Sequence, residues 1–315
     1  ATTFSEMSNI SKEALKELEN HLEFKSIDIE TVQLSRDGTR KYLLKLEDGN
    51  FVETVLMRNN YGYSICVSTQ VGCNMGCAFC ASGLNKRVRN LEIHEMVLQV
   101  LLVNNLLREE TIRISHVVIM GIGEPFDNYD NVIDFIKIIN DAKGLEIGSR
   151  HITVSTCGIA PKIYKFSELG LQVNLAISLH FPNDELRSKY MPINKAYQLD
   201  KLMEALKYYY EKTNRRITFE YILLDGINDT PEVAMELVNL IRGINCYVNL
   251  IPMNKTTGEL RRSDKKQTDK FYNILSNNGI NVTLRREHGH DIDAACGQLR
   301  IKREELNARS NHKSN

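Results

Sequence analysis

The sequence of 315 residues contains no apolar run approaching the roughly 18 residues needed to cross a bilayer. Its N-terminus also lacks the basic-then-apolar order of a secretory signal, so a membrane span and export are not expected and a cytoplasmic location is. An excess of either charge is missing too, since 40 Lys and Arg balance 40 Asp and Glu. Nucleic-acid binders are often basic throughout, so an RNA substrate would require a local positive surface. There is no low-complexity segment, and no repeat beyond an alternation of strand-like and helix-like runs. What is present is an ordinary globular composition, 42% apolar and 25% charged, in a chain long enough for one large α/β domain or two.

The chain opens on Ala1 rather than Met, a start that predicts a processed or truncated N-terminus. Ser11 to Leu22 reads as a charged helix with nothing before it to pack on, and residues 1–25 are expected to be the remnant of a helical accessory region. Thr31 to Met57 alternates apolar and polar residues around turns at Asp37-Gly38 and Asp48-Gly49-Asn50, the pattern of a small β meander, which assigns 26–62 to a β extension. From Tyr63 the rhythm becomes repeated βα. Strand-like runs (Ser64 to Ser68, His116 to Met120, His151 to Ser155, Val173 to Leu179, Ile217 to Leu224, Tyr247 to Ile251, Asn281 to Arg285) alternate with amphipathic stretches such as Val132 to Asn140, Leu199 to Tyr210 and Glu232 to Ile241. That order predicts an α/β fold with a parallel sheet or barrel over 63–299 and helices outside it. Residues 300–315, with five Lys/Arg against two Glu, read as a basic tail able to touch phosphate.

Seven cysteines in a chain without an export signal are poor disulfide material, so clustered ones point to metal or redox chemistry. Cys73-Asn-Met-Gly-Cys77-Ala-Phe-Cys80 follows the first βα strand, where loops of such folds carry chemistry. Three thiolates so spaced can wrap one corner of an iron–sulfur cubane and leave the fourth iron free to chelate S-adenosylmethionine (SAM). The competing reading is zinc, which asks for four closed ligands; the next candidate, His94, is distant in sequence. Gly121-Ile-Gly123-Glu124-Pro125 follows the second strand. Its glycines would let a ligand approach the backbone and Glu124 would accept from an ammonium, or the segment is a tight turn with a helix-start acid. Its spacing is not that of a dinucleotide fingerprint. Ser155, Ser178-Leu179-His180 and Asn254 stand at further strand ends; singly each reads as a satisfied loop polar group, and as a ring they outline a SAM pocket. Cys157 and Cys246 read as small buried hydrophobes, whereas Cys296, in an Ala-Ala-Cys-Gly loop, has the setting of an accessible nucleophile. Arg285, Arg286, His288 and His290 precede it, as phosphate-binding groups or as a solvated strand end.

Jointly these motifs resemble the RlmN/Cfr family of radical SAM RNA methyltransferases, from about Thr3 to Arg303. The carriers are Val52-Glu53-Thr54-Val55, Cys66 to Cys73, the triplet, Met120 to Pro125, Ser178 to His180, Met191-Pro-Ile-Asn194, Asn249 to Asn254 and Asp291 to Leu299. The resemblance implies a radical SAM partial (β/α)6 barrel with an N-terminal helix and a small β extension. It further implies a [4Fe–4S] cluster on Cys73, Cys77 and Cys80, and SAM contacts at Gly123, Glu124, Ser155, Ser178, Leu179, His180 and Asn254. By the same resemblance Cys296 becomes S-methylcysteine, Glu53 accepts a proton, and Cys66 resolves the RNA adduct through a transient disulfide with Cys296. Pro125 and Pro252 resemble the RlmN branch, whose members methylate adenine C2 in 23S rRNA and tRNA. The implied partners are those RNAs and an electron donor such as flavodoxin or ferredoxin, with no membrane and a monomeric chain. Three alternatives stay open on the residues: Cfr-type methylation at C8, giving antibiotic resistance; radical SAM chemistry on another substrate; and a non-catalytic iron–sulfur RNA-binding protein. Cys296 speaks against the second, and Cys66, Glu53 and Glu124 together against the third.

Overall fold

Alternation along the strands decides the architecture. The computed structural model of the chain describes residues 4–84, 86–108, 110–254, 259–285, 288–289 and 291–292. Helix α1 (Lys12–His21) is capped by Ser11, whose hydroxyl accepts from the Ala14 amide, so the predicted helix is present. Strands β1 (Asp28–Leu34), β2 (Arg40–Lys45), β3 (Phe51–Asn59) and β4 (Gly62–Cys66) form an antiparallel meander. Its turns fall at the two predicted Asp-Gly steps, where Gly38 and Gly49 take φ of +85° and +80°, open to glycine without steric cost. A two-residue strand β5 (Gln70–Val71) pairs with β6 (Arg89–Asn90) and brackets the cysteine loop.

Six βα units then follow: α2 (Ile93–Arg108), β7 (Ile114–Ile119), α3 (Tyr129–Asn140), β8 (Ile152–Thr156), α4 (Ala160–Ser167), β9 (Asn174–Ser178), α5 (Asp184–Tyr190), α6 (Leu199–Thr213), β10 (Ile217–Leu223), α7 (Pro231–Leu240), β11 (Cys246–Pro252), α8 (Lys265–Asn277) and β12 (Asn281–Leu284). One ten-stranded sheet results, in the order β1-β2-β3-β4-β7-β8-β9-β10-β11-β12, and every pair from β4 to β12 is parallel. Strand order follows chain order without reversal, so each crossover adds a strand on the same side and the helices share one face. Val117, Ile119, Val154, Leu175, Ile177, Phe219, Leu250 and their neighbours meet Val132, Ile136, Ile163, Leu206 and Leu237 there in one core. The opposite face carries Thr153, Ser155, Asn174, Ser178, Thr218, Glu220, Asn249 and Thr283, placed side by side by the register. This polar inner face explains why strands of a parallel sheet, commonly apolar on both sides, show period-two alternation in sequence.

The sheet curls until its edges meet. The β1–β2 turn reaches the segment beyond β12: the Gly289 amide donates to Asp37 Oδ2 at 3.0 Å and the Arg36 amide to Asp291 Oδ2 at 3.2 Å. The architecture is a partial (β/α)6 barrel, with the meander continuing its sheet. Among the described residues no helix is long and apolar enough to cross a membrane.

Candidate active site

The cysteine loop leaves β5 through two left-handed glycines, Gly72 (φ +75°) and Gly76 (φ +63°), which let it double back on itself. The Cys80 amide donates to Cys77 O at 3.1 Å, the Gly83 amide to Cys80 O at 3.0 Å, and the Ala78 amide to Tyr190 O at 3.0 Å, docking the loop on the end of α5. Cys73 is buried, with Cys77 and Cys80 half-buried. Burial pushes the Cys73 thiol up to about 11, and burial with the neighbouring thiols pushes Cys77 higher still. Such thiols stay protonated unless a strong positive centre makes the thiolate favourable, which iron does. The donor set is all sulfur and comes from one loop. Among the described residues no three His, Cys, Asp or Glu side chains converge as they do around a single ion. A cubane, whose ligands attach to separate irons, requires no such convergence.

The turn after β7 corrects one expectation. A Cβ on Gly121 would lie 2.7 Å from the Ser68 amide nitrogen, and one on Gly123 (φ +109°) 2.6 Å from Gln70 Cβ. The space these glycines open is filled by the chain's own β4–β5 segment, so they serve close backbone packing rather than the approach of a ligand to their α-carbons. The Thr69 amide donates to Ile122 O at 2.9 Å and the Glu124 amide to Gln70 Oε1 at 2.9 Å, locking the two rims together. Glu124 is buried. Its Oε1 accepts from the Phe126 amide (3.0 Å) and the Thr156 hydroxyl (2.6 Å), and Oε2 accepts from the Cys157 amide (2.8 Å). It is thus the helix-start acid and a link to the end of β8 at once. Burial raises its pKa against the pull of those donors and of the Cys157 thiol, which also hydrogen-bonds to it.

Ser155 and Ser178 face each other with hydroxyl oxygens 3.4 Å apart. Leu179 has no exposed side chain and belongs to the main core, so only its backbone faces the rim. His180 adopts φ +57°, a left-handed conformation unusual for a non-glycine residue. Its Nδ1 accepts from the Ile222 amide at 3.1 Å and burial pushes its pKa down to about 3, so the ring is neutral with its proton on Nε2. The ring meets Phe79 of the cysteine loop edge-on at 4.7 Å. Asn254 is exposed beyond β11.

On the meander side, Cys66 pairs with Val55 and lies on the same strand face as Glu53. Burial pushes the Cys66 thiol up to about 11, against the charge of Arg285 and a hydrogen bond from the Met120 amide. Glu53 is ion-paired with Lys41 at 3.3 Å, side chains 3% and 0% exposed. Cys296, Arg286 and His290 lie outside the described residues. His288 Nδ1 lies 3.8 Å from Asp37 Oδ2, so it faces a carboxylate rather than open solvent.

Sequence reasoning missed four supporting groups. Lys41 was hidden in an apolar strand. Gln99 of α2 accepts from the Ser68 amide (2.9 Å) and the Thr54 hydroxyl (2.8 Å), pinning the exit of β4. Arg187, fully buried, donates to Cys157 O (2.6 Å), Leu179 O (3.3 Å) and Asn194 Oδ1 (2.9 Å), tying together the ends of β8 and β9. Glu220, also buried, accepts from Asn249 Nδ2 at 2.9 Å in the barrel interior. Asn194 in the Met-Pro-Ile-Asn motif was the one signal pointing to Arg187.

Residues 67–238 match the family model of the radical SAM superfamily. The chain is 56% identical over 302 residues to the probable dual-specificity RNA methyltransferase RlmN of Spiroplasma citri, covering 96% of this chain and 87% of that protein. It is 55% identical over 302 residues to the protein so named of Geobacillus thermodenitrificans, covering 96% and 83%. The solved structure of a radical SAM methyltransferase from Sphaerobacter thermophilus superposes with a TM-score of 0.91 at 41% identity, covering 95% of this chain and 88% of that one. The cofactors of such enzymes are a [4Fe–4S] cluster and SAM, and the all-sulfur loop fits the first of them. With a thiol loop on the rim of a partial barrel and relatives alike over nearly the whole chain, the protein belongs to the radical SAM superfamily and, within it, to the RlmN family of RNA methyltransferases.

Proposed function

We propose that the chain methylates C2 of an adenosine in the peptidyl transferase centre of 23S rRNA and of the adenosine 3′ of the anticodon in tRNA. The dual specificity in the relatives' names supports the pair of substrates. The observation that carries the reading is the placement of Glu53 and Cys66 on one face of adjacent strands, directly before the thiol loop. Most radical SAM chemistry needs no second thiol and buried carboxylate there, whereas a covalent RNA intermediate needs both.

Cys73, Cys77 and Cys80 would hold the cluster as thiolates. When bound, the cluster supplies one-electron cleavage of SAM and thereby a carbon radical. Glu124 takes the SAM ammonium in place of the weak Cys157 thiol donor. Gly123 and Leu179 contribute backbone, while Ser155, Ser178, Asn254 and the Nε2–H of His180 orient the rest of the molecule. Cys296 carries the methyl group as S-methylcysteine and becomes the bridge to C2. Glu53, fixed by Lys41, receives the C2 proton as Cys66 resolves the adduct by forming a disulfide with Cys296. The electron that such a cluster would need would come from a flavodoxin- or ferredoxin-like donor, and the chain acts as a cytoplasmic monomer of a barrel (63–299), a β extension (26–62), a helical segment (1–25) and a basic tail (300–315).

The test is mass spectrometry of nucleosides from 23S rRNA and tRNA treated with the reconstituted enzyme. 2-Methyladenosine from both RNAs is expected; 8-methyladenosine would reassign the chain to Cfr-type chemistry, and product from one RNA alone would remove the dual specificity.

A further inference from the structure

At the end of the barrel away from the thiol loop, a cleft of about 500 Å³ opens among the N-terminal ends of β8, β9 and β10. Three arginines line it: Arg150 from the turn before β8, and Arg215 and Arg216 from the turn into β10. Asn214 makes that turn possible by taking φ +52°, a left-handed conformation asparagine tolerates, which sends the next two residues back toward the strand ends. No Asp or Glu lines the cleft, and among the described residues none of the three arginines has a carboxylate partner. The adjoining cleft differs, because its Arg113 lies 3.9 Å from Glu146. In a chain of zero net charge, three uncompensated cations in one place are a local departure.

Neutral groups hold these cations in direction without cancelling their charge. Arg150 Nε donates to Gln172 Oε1 at 2.7 Å, and Arg215 Nη2 to Asn174 Oδ1 at 2.6 Å. Asn174 in turn donates to Arg150 O at 2.7 Å, joining the two arginines through one amide. The Arg216 guanidinium stands over the Tyr247 ring, 5.1 Å from its centroid. On its core side the Arg215 guanidinium also meets the buried Tyr209 hydroxyl. Thr153 and Thr218 add hydroxyls at the floor of the cleft.

We propose that this cleft binds an oligophosphate, two or three linked phosphoryl groups, with Arg150, Arg215 and Arg216 as the charged ligands. Guanidinium forks match phosphoryl oxygens two at a time, and three fixed charges match the three or so negative charges of a diphosphate near neutral pH. A single carboxylate would leave most of that charge unanswered. The site is separate from the proposed methyl-transfer chemistry, which uses the opposite ends of the strands.

Isothermal titration of the full chain with sodium pyrophosphate, against sodium chloride of equal ionic strength, tests this directly. Saturable one-to-one binding is expected, weakened about tenfold or more in Arg216→Gln and in Arg215→Gln, the loss of one charge-assisted contact each. Arg113→Gln, next door and already paired with Glu146, should bind as the parent chain does. Because Arg216 is exposed, its variant keeps the test valid if Arg215→Gln fails to fold. Absence of saturable heat, undiminished binding in the Arg216 variant, or an equal loss in Arg113→Gln overturns the proposal. ATP and a short single-stranded RNA then compete against pyrophosphate. Displacement by one or the other names the source of the phosphates as free nucleotide or RNA backbone, and displacement by neither confines the site to pyrophosphate itself.

Discussion

Lys41 and Glu53 show how one pair of side chains can be both structural and chemical. Two charges that are almost fully desolvated compensate each other across 3.3 Å. Lys41→Met should therefore cost about 3–5 kcal/mol in denaturant unfolding, since it takes this cation away from a buried carboxylate. The double variant Lys41→Met/Glu53→Gln should recover most of that loss, and failure to recover would show that Lys41 acts through packing alone. Cys66 makes a chemical prediction. If it resolves the adduct, Cys66→Ala should accumulate RNA covalently attached to protein, visible as a shifted band under denaturing conditions; only free RNA would remove the resolving role. The high pKa of Cys66, set by burial, makes it a poor nucleophile at rest, and Arg285 is the group whose charge lowers it. From sequence Cys66 was one alternating residue in a strand. Its neighbour Glu53 is thirteen positions away, and strand register rather than spacing brings their faces together.

Among elements, the turn Met120 to Pro125 illustrates how a motif can be seen correctly and explained incorrectly. Its glycines were visible in sequence and suggested room for a ligand, but the room is taken by Ser68 and Gln70. Gly121→Ala should then destabilise the protein by about 1–3 kcal/mol through overpacking against backbone, in the absence of any SAM. Thermal unfolding without ligand measures this, and an unchanged midpoint combined with weakened SAM binding would restore the ligand explanation. Strand and helix positions were more legible: the run Val173 to Leu179 became Asn174–Ser178, and Leu199 to Tyr210 became Leu199–Thr213. These hold because each element buries one face, and burial of one face writes a period into the sequence. The small β5 and β6 pair left no such trace, since two residues are too few to carry a period.

Over the whole molecule, curling of the sheet brings the β1–β2 turn to the segment beyond β12. Asp37 is central to that contact. Burial alone would raise its pKa, but hydrogen bonds from the Gly289 and Thr39 amides outweigh burial and hold it well below the usual carboxylate range. A carboxyl whose folded pKa is lowered contributes stability above its unfolded pKa, near 3.8, and loses it as pH falls toward the folded value. Asp37→Asn should thus be less stable than the parent chain at pH 7, with the gap closing below about pH 4. Denaturation midpoints across that range check it; a gap independent of pH would mean that the carboxylate charge plays no part. The barrel also has to be assembled for the thiol loop to rest on α5. Anaerobic reconstitution should load about four irons and give the broad visible absorbance of an iron–sulfur protein, and serine at Cys73, Cys77 and Cys80 should abolish both. A colourless zinc protein would refute the cluster assignment.

The sequence by itself determined what is local: the repeated βα order, the turn glycines of the meander and the three sulfurs of one loop. Spacing along a chain controls those features directly, through helical and strand periods and the reach of a short loop. Only the tertiary structure decided what depends on register and curl: that Lys41 neutralises Glu53, that Glu124 and Arg187 both grip Cys157, and that three arginines from two separate turns meet at the far mouth of the barrel. Residues tens of positions apart meet because parallel strands repeat their ends in space, and no local pattern records which end faces which.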